Sequence, residues 1–135
     1  MRKRKVFSRY DYERLFDVIR DKDSFPGQEV ANIDTLKRDL ERSRPVEPRE
    51  IRPNVVTMNT KFLLKNIGNG KKYVYSLSFP YDCNDQEKIN VLSAMGTQIL
   101  GSTIGTVIKN NSCGEQYFII DEILYQPEAA GDYYR

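Results

Sequence analysis

The ten residues Gly96-Thr97-Gln98-Ile99-Leu100-Gly101-Ser102-Thr103-Ile104-Gly105 decide how the chain is read, because they come within one residue of a loop that cradles nucleotide phosphates. Such a loop runs Gly, four residues, Gly, Lys, then Ser or Thr. Gly96, Gly101 and Thr103 obey the pattern, but Ser102 stands where the lysine belongs and brings no charge to a phosphate. The filling is also wrong. Phosphate loops present bare backbone N–H groups, whereas Ile99 and Leu100 are large apolar side chains that favour burial. The glycines therefore read as punctuation of a fold. The spacing predicts a short helix from about Ala94 to Leu100, ended by Gly101 in the left-handed C-terminal position, with Gly105 turning the chain into a strand.

Outward from this stretch, the sequence has strand character on both sides. Val55-Val56-Thr57-Met58 and Thr60-Lys61-Phe62-Leu63-Leu64 are rich in β-formers. Gly68-Asn69-Gly70 is a turn into the strand Lys71 to Phe79, where Tyr73, Tyr75, Leu77 and Phe79 share one face opposite Val74, Ser76 and Ser78. Pro80 to Lys88 is a polar loop and Ile89 to Leu92 a short strand. Thr106 to Lys109 and Glu115 to Tyr125 form a second hairpin across Asn110 to Gly114. The result is a small, mostly antiparallel sheet carrying one short helix.

The first third of the chain is different. Ser8 with Asp11 makes a variant capping box, and Tyr12, Leu15, Phe16 and Ile19 then fall on one helical face. After the breakers Ser24-Phe25-Pro26-Gly27, the residues Val30, Ile33, Leu36 and Leu40 repeat every three or four positions up to Arg44-Pro45. Two such helices joined by a short turn predict an antiparallel hairpin whose arms of 12 to 14 residues extend roughly 20 Å. Arg44 to Pro53 holds three prolines and five charged residues and reads as an extended linker. The expected division is 1–50, helical hairpin and linker, and 51–135, sheet domain, an α+β architecture.

Composition bounds the chemistry. A chain of 135 residues with 39% hydrophobic residues holds one modest core. The 21 basic residues against 19 acids give a net charge of +2, too small a surplus to make nucleic acid the chief partner. Arg2-Lys3-Arg4-Lys5 reads either as a solvated terminus or as a phosphate-binding arm. With Lys61, Lys65, Lys71 and Lys72, that arm would supply weak, non-specific nucleic-acid contact. No apolar run follows these charges, so neither a signal peptide nor a membrane span is expected. Cys83 and Cys113 fall in loops and read as reduced thiols of a cytoplasmic protein. The complete lack of histidine removes His-based nucleophile activation, His general bases and the commonest zinc ligand. No pair of acids is placed by a recognisable motif. No metal, cofactor or catalytic residue is expected, although carboxylate or metal-assisted chemistry stays open.

Ile89-Asn90-Val91-Leu92-Ser93-Ala94-Met95-Gly96, followed by Ile99-Leu100-Gly101 and Gly105, resembles the C-terminal signature of the Gre-type bacterial transcript-cleavage factors. Val55 to Asn59 and the tail Tyr125 to Tyr133 narrow the resemblance to one branch of that family. It implies an FKBP-like C-terminal domain and an N-terminal coiled coil, acting on RNA polymerase at the rim of its secondary channel, with no enzyme activity of its own. Gre factors carry acids at the tip of a longer coiled coil, where they help to hold a magnesium ion and promote cleavage of backtracked RNA. Here the tip residues would be Asp21, Asp23 and Glu29, but Arg20 and Lys22 interleave with them and oppose cation binding. The expectation is a monomer that occupies the channel entrance and competes with Gre-type factors without cleavage; an active cleavage factor using the tip acids is the alternative.

Docking, by the same resemblance, falls to the loop before the short helix, with Asn90, Leu92, Ser93, Ala94 and Met95 as polymerase-binding candidates. That loop departs from the family pattern at Leu92, where an acid is usual, and at Ala94, where a proline is usual; Thr106 replaces the Asp of the Gly-Asp turn. The first two changes point to an apolar contact anchored by Leu92 and Met95, unless these residues pack in the core. Tyr133 and Tyr134 read as a partner-facing pair or as a tail laid on the sheet. An FKBP-like fold alone does not imply prolyl isomerase activity.

Overall fold

A computed structural model describes residues 5–20, 30–83, 86–110 and 114–132. Ser8 starts the first helix, α1 (Arg9–Arg20), because its hydroxyl accepts the Asp11 N–H at 3.1 Å and so satisfies one orphan donor of the helix N-terminus. Only that half of the expected capping box is seen: the Asp11 carboxylate turns away, to Arg14 and to the Met58 N–H. Leu15, Val18 and Ile19 are buried, whereas Tyr12 and Phe16 are half-buried and meet edge to face at 4.9 Å. The buried stripe is thus rotated towards Val18 from the face expected. In α2 (Val30–Arg42), Ile33, Leu36 and Leu40 are buried at the expected spacing. The two helices pack on each other. The residues between them, which include Asp21, Asp23 and Glu29, lie outside those described, as do Arg2 to Arg4, Cys113, Tyr133 and Tyr134.

The proline-rich stretch is docked. Val46 lies in a parallel bridge beside Ser8, its N–H donating to Phe7 O at 3.0 Å and its carbonyl accepting the Arg9 N–H at 2.8 Å. Pro48–Glu50 then forms one 3₁₀ turn. The β-prone run Val55 to Met58 belongs to no strand of the sheet. It is buried, and it crosses the molecule through a bridge between Val55 and Thr103 and a reciprocal pair of bonds, Val56 N–H to Ser102 O and Gly101 N–H to Val56 O, both 2.8 Å. Its side chains serve the core while its backbone is satisfied outside the sheet ladder.

Five strands follow the order β3-β2-β1-β5-β4, where β1 is Lys61–Asn66, β2 Lys72–Ser78, β3 Lys88–Asn90, β4 Val107–Asn110 and β5 Gln116–Tyr125. All neighbours are antiparallel except β2 and β3, which run parallel with Leu77 opposite Ile89. Two register shifts where β1 meets β5 give the sheet the extra bend that bulges produce. Burial along β2 does not alternate as expected; it rises from exposed Tyr73 to buried Leu77 and Ser78, because only one end of the strand is covered. The short helix α3 (Ala94–Ile99) ends as the glycines predict, Gly101 taking φ +77° and Gly105 φ +93°. Against it pack α2 and β4.

One cluster of buried side chains unites the helices and the sheet: Leu15, Leu36 and Leu40 join Met58, Phe62 and Leu77. Each such burial contributes about 1.5–3 kcal/mol, so the helical pair is held at its root by apolar contact as well as by hydrogen bonds.

Candidate functional site

The expected docking residues form a single locked turn. Asn90 Oδ1 accepts the Leu92 N–H at 2.9 Å, and Asn90 O accepts both the Ser93 hydroxyl at 2.7 Å and the Ser93 N–H at 3.0 Å. Ser93 in turn caps α3, its hydroxyl accepting the Gly96 N–H at 3.0 Å. Gly96 has to be glycine for a reason of space: a Cβ there would lie 2.1 Å from Asn90 O and 2.8 Å from the Val91 Cα. The helix crosses the turn at backbone contact. No phosphate loop is formed here, since the Gly96 N–H is bound within the fold and Gly96 sits inside a helix.

The side chains of the turn divide. Leu92 is fully buried, which corrects the expectation that it anchors a partner: an apolar residue whose surface is already removed from water offers none to another protein. Ala94 is exposed, while Asn90, Ser93 and Met95 are half-buried. The turn therefore presents a small neutral surface centred on Ala94, with Met95 packed against the core from its rim.

A second constellation escaped the sequence. Asp11, 2% exposed, has a carboxylate that accepts from Arg14 at 2.6 Å and from the Met58 N–H at 3.1 Å. Burial pushes its pKa up to about 6, helped by the nearby charge of Glu128 and opposed by Arg14 and the two hydrogen bonds. Glu128, also buried, accepts the Thr57 hydroxyl at 2.6 Å, and Thr57 is linked to Thr60 at 2.9 Å. The Arg14 guanidinium lies 3.9 Å from the centre of the Tyr10 ring and 4.7 Å from that of Phe79. This seam joins α1, the 57–60 segment and the C-terminal tail. Nothing in the local pattern announces it, because Asp11 reads as a helix cap and its partners lie far along the chain.

The fold separates Lys5 from the strand lysines. Lys5 turns inward, donating to Thr97 O at 2.6 Å and lying 3.7 Å from Asp39, so it is not part of a solvated arm. Lys61, Lys65 and Lys72 share one sheet face, where Lys72 pairs with Asp121 at 3.0 Å. Among the described residues no group of three or more Cys, Asp or Glu side chains is placed to hold a metal ion, and no helix is long and apolar enough to cross a membrane.

No family model matches the chain. It is 30% identical over 131 residues to the regulator of nucleoside diphosphate kinase of Escherichia coli strain K12, covering 95% of this chain and 94% of that protein, and it is equally similar to the protein of that name from Shigella flexneri. Among solved structures it is similar to the prokaryotic transcription elongation factor GreA/GreB from Nitrosomonas europaea, with a TM-score of 0.77 and 31% identity over 92% of this chain and 100% of that chain.

Proposed function

The chain belongs to the family of the regulator of nucleoside diphosphate kinase, and from that premise we propose that it is a non-catalytic, Gre-like transcription regulator. It binds RNA polymerase at the rim of the secondary channel and competes there with Gre-type factors, without stimulating RNA cleavage. In this reading residues 1–50 are a short antiparallel helical hairpin and residues 51–135 an FKBP-like domain, and the protein works in the cytoplasm as a monomer.

The observation that carries the reading is the length and rooting of the helical pair. Over the described residues α1 has 12 residues and α2 has 13, which makes these segments about 18 and 20 Å long at 1.5 Å per residue. Both ends of the pair nearest the sheet are fixed: Asp11 bonds to Met58, Lys5 to Asp39, and Val46 to Phe7 and Arg9. A short arm held at its root plugs an opening; it does not carry acids deep into a channel. The similarity to a transcription elongation factor supplies the process, and the neutral surface around Ala94 supplies the contact.

The test is a pull-down with purified core polymerase and a competing Gre factor. Binding that the competitor displaces is expected. No binding, or binding that the competitor leaves undiminished, would defeat the proposal.

A further inference from the structure

β4 is the outermost strand on its side of the sheet, and an outer strand carries unpaired N–H and C=O groups. One position is covered from within the chain: Gln98 Nε2 donates to Lys109 O at 2.8 Å and Gln98 Oε1 accepts the Lys109 N–H at 3.0 Å. Backbone direction alternates along an antiparallel pair. Val107, two residues earlier in the register, therefore turns its own N–H and C=O to the same open edge. Val107 is 53% exposed and lines a cleft of about 660 Å³ together with Val6, itself 41% exposed.

The cleft has a polar complement that the fold does not use. The side chains of Arg52, Asn54, Thr103 and Thr106 line it and make no hydrogen bond or ion pair among the described residues, and no acidic residue is in its lining. It shares no residue with the Asn90–Met95 turn.

We propose that this cleft docks a short extended peptide segment that ends in a free carboxylate, its backbone pairing with Val107 and its carboxylate meeting Arg52. The volume lies within the range of small-ligand sites. Addition of a strand to a sheet edge draws affinity from main-chain hydrogen bonds. The Gln98 clamp stops that pairing after one residue, which excludes a long strand and favours a chain end. A chain end brings the carboxylate that an unpaired guanidinium matches in charge and fork geometry. The small apolar walls of Val6 and Val107 suit β-branched side chains.

The test uses the full chain and three probes: an acetylated pentapeptide of alternating valine and threonine with a free C-terminus, its C-terminal amide, and acetate. NMR titration should show amide shifts around Val107 and Thr106 with the free-acid peptide. Amidation or Arg52→Gln should weaken binding about five- to tenfold. Val107→Pro, which an edge position tolerates, should abolish it while circular dichroism stays native. If that variant unfolds, Arg52→Gln and the amide carry the decision alone. Absence of shifts at millimolar peptide, equal binding of the amide, indifference to Arg52→Gln, retention by a folded Val107→Pro, or acetate binding as tightly as the peptide would each overturn the proposal.

Discussion

The Asn90–Met95 turn and the Asp11 seam are both locked by hydrogen bonds, yet they differ in charge. In the turn every bond joins neutral groups, Asn90 to Leu92 and Ser93, Ser93 to Gly96. In the seam two carboxylates, Asp11 and Glu128, are buried with a single guanidinium against Asp11. A neutral lock keeps its geometry whatever the solution pH. A charged lock ties the helical root to the sheet with a strength that depends on protonation. The two regions are therefore rigid for different reasons and respond to different perturbations.

The sharpest way to break the turn is Gly96→Ala. The new Cβ meets backbone atoms on both Asn90 and Val91, which have no flexible end to move aside, so a loss of about 3 kcal/mol or more is expected in urea unfolding. Leu92→Ala follows at about 3 kcal/mol, because it leaves a cavity at a fully buried position. A loss under 1 kcal/mol would return Leu92 to the surface as an anchor.

The seam is sharpened by pH. Asp11 has a folded pKa of about 6 against an ordinary 3.8, so the folded state holds this proton more tightly than the unfolded chain. The stability it contributes is fully present below about pH 4 and is lost as pH rises through 6, by about 3 kcal/mol at most. Asp11→Asn should flatten that slope in urea midpoints taken from pH 4 to 8 and should not lower stability at pH 8. A slope unchanged by the substitution would remove Asp11 as its source. The smallest effect on stability is at the exposed Ala94: Ala94→Glu should shift it by no more than about 0.5 kcal/mol, while polymerase binding in the pull-down falls.

Much of the fold was legible where local chemistry decides it. Ser8 caps α1 and Gly101 adopts a positive φ because each effect lies within a few residues. Ile99 and Leu100 are buried as their size requires. Legibility failed where the partner is distant. Asp11 reads as a cap but serves Met58 and Arg14. Val55 to Met58 has strand composition, yet tertiary burial places it outside the sheet. Leu92 reads as the end of a strand and as a docking candidate, and only the tertiary fold shows it fully buried just beyond β3. Gln98 gives no sign in sequence that it covers the edge of β4.

The central claim, that a short and firmly rooted helical pair blocks a channel entrance and delivers no acids to its depth, is tested most directly with backtracked transcription complexes. The protein alone should yield no shortened RNA, and in excess it should suppress the cleavage that a Gre factor stimulates. Shortened RNA produced by this chain alone, and lost on Asp21→Asn or Asp23→Asn substitution, would contradict the account.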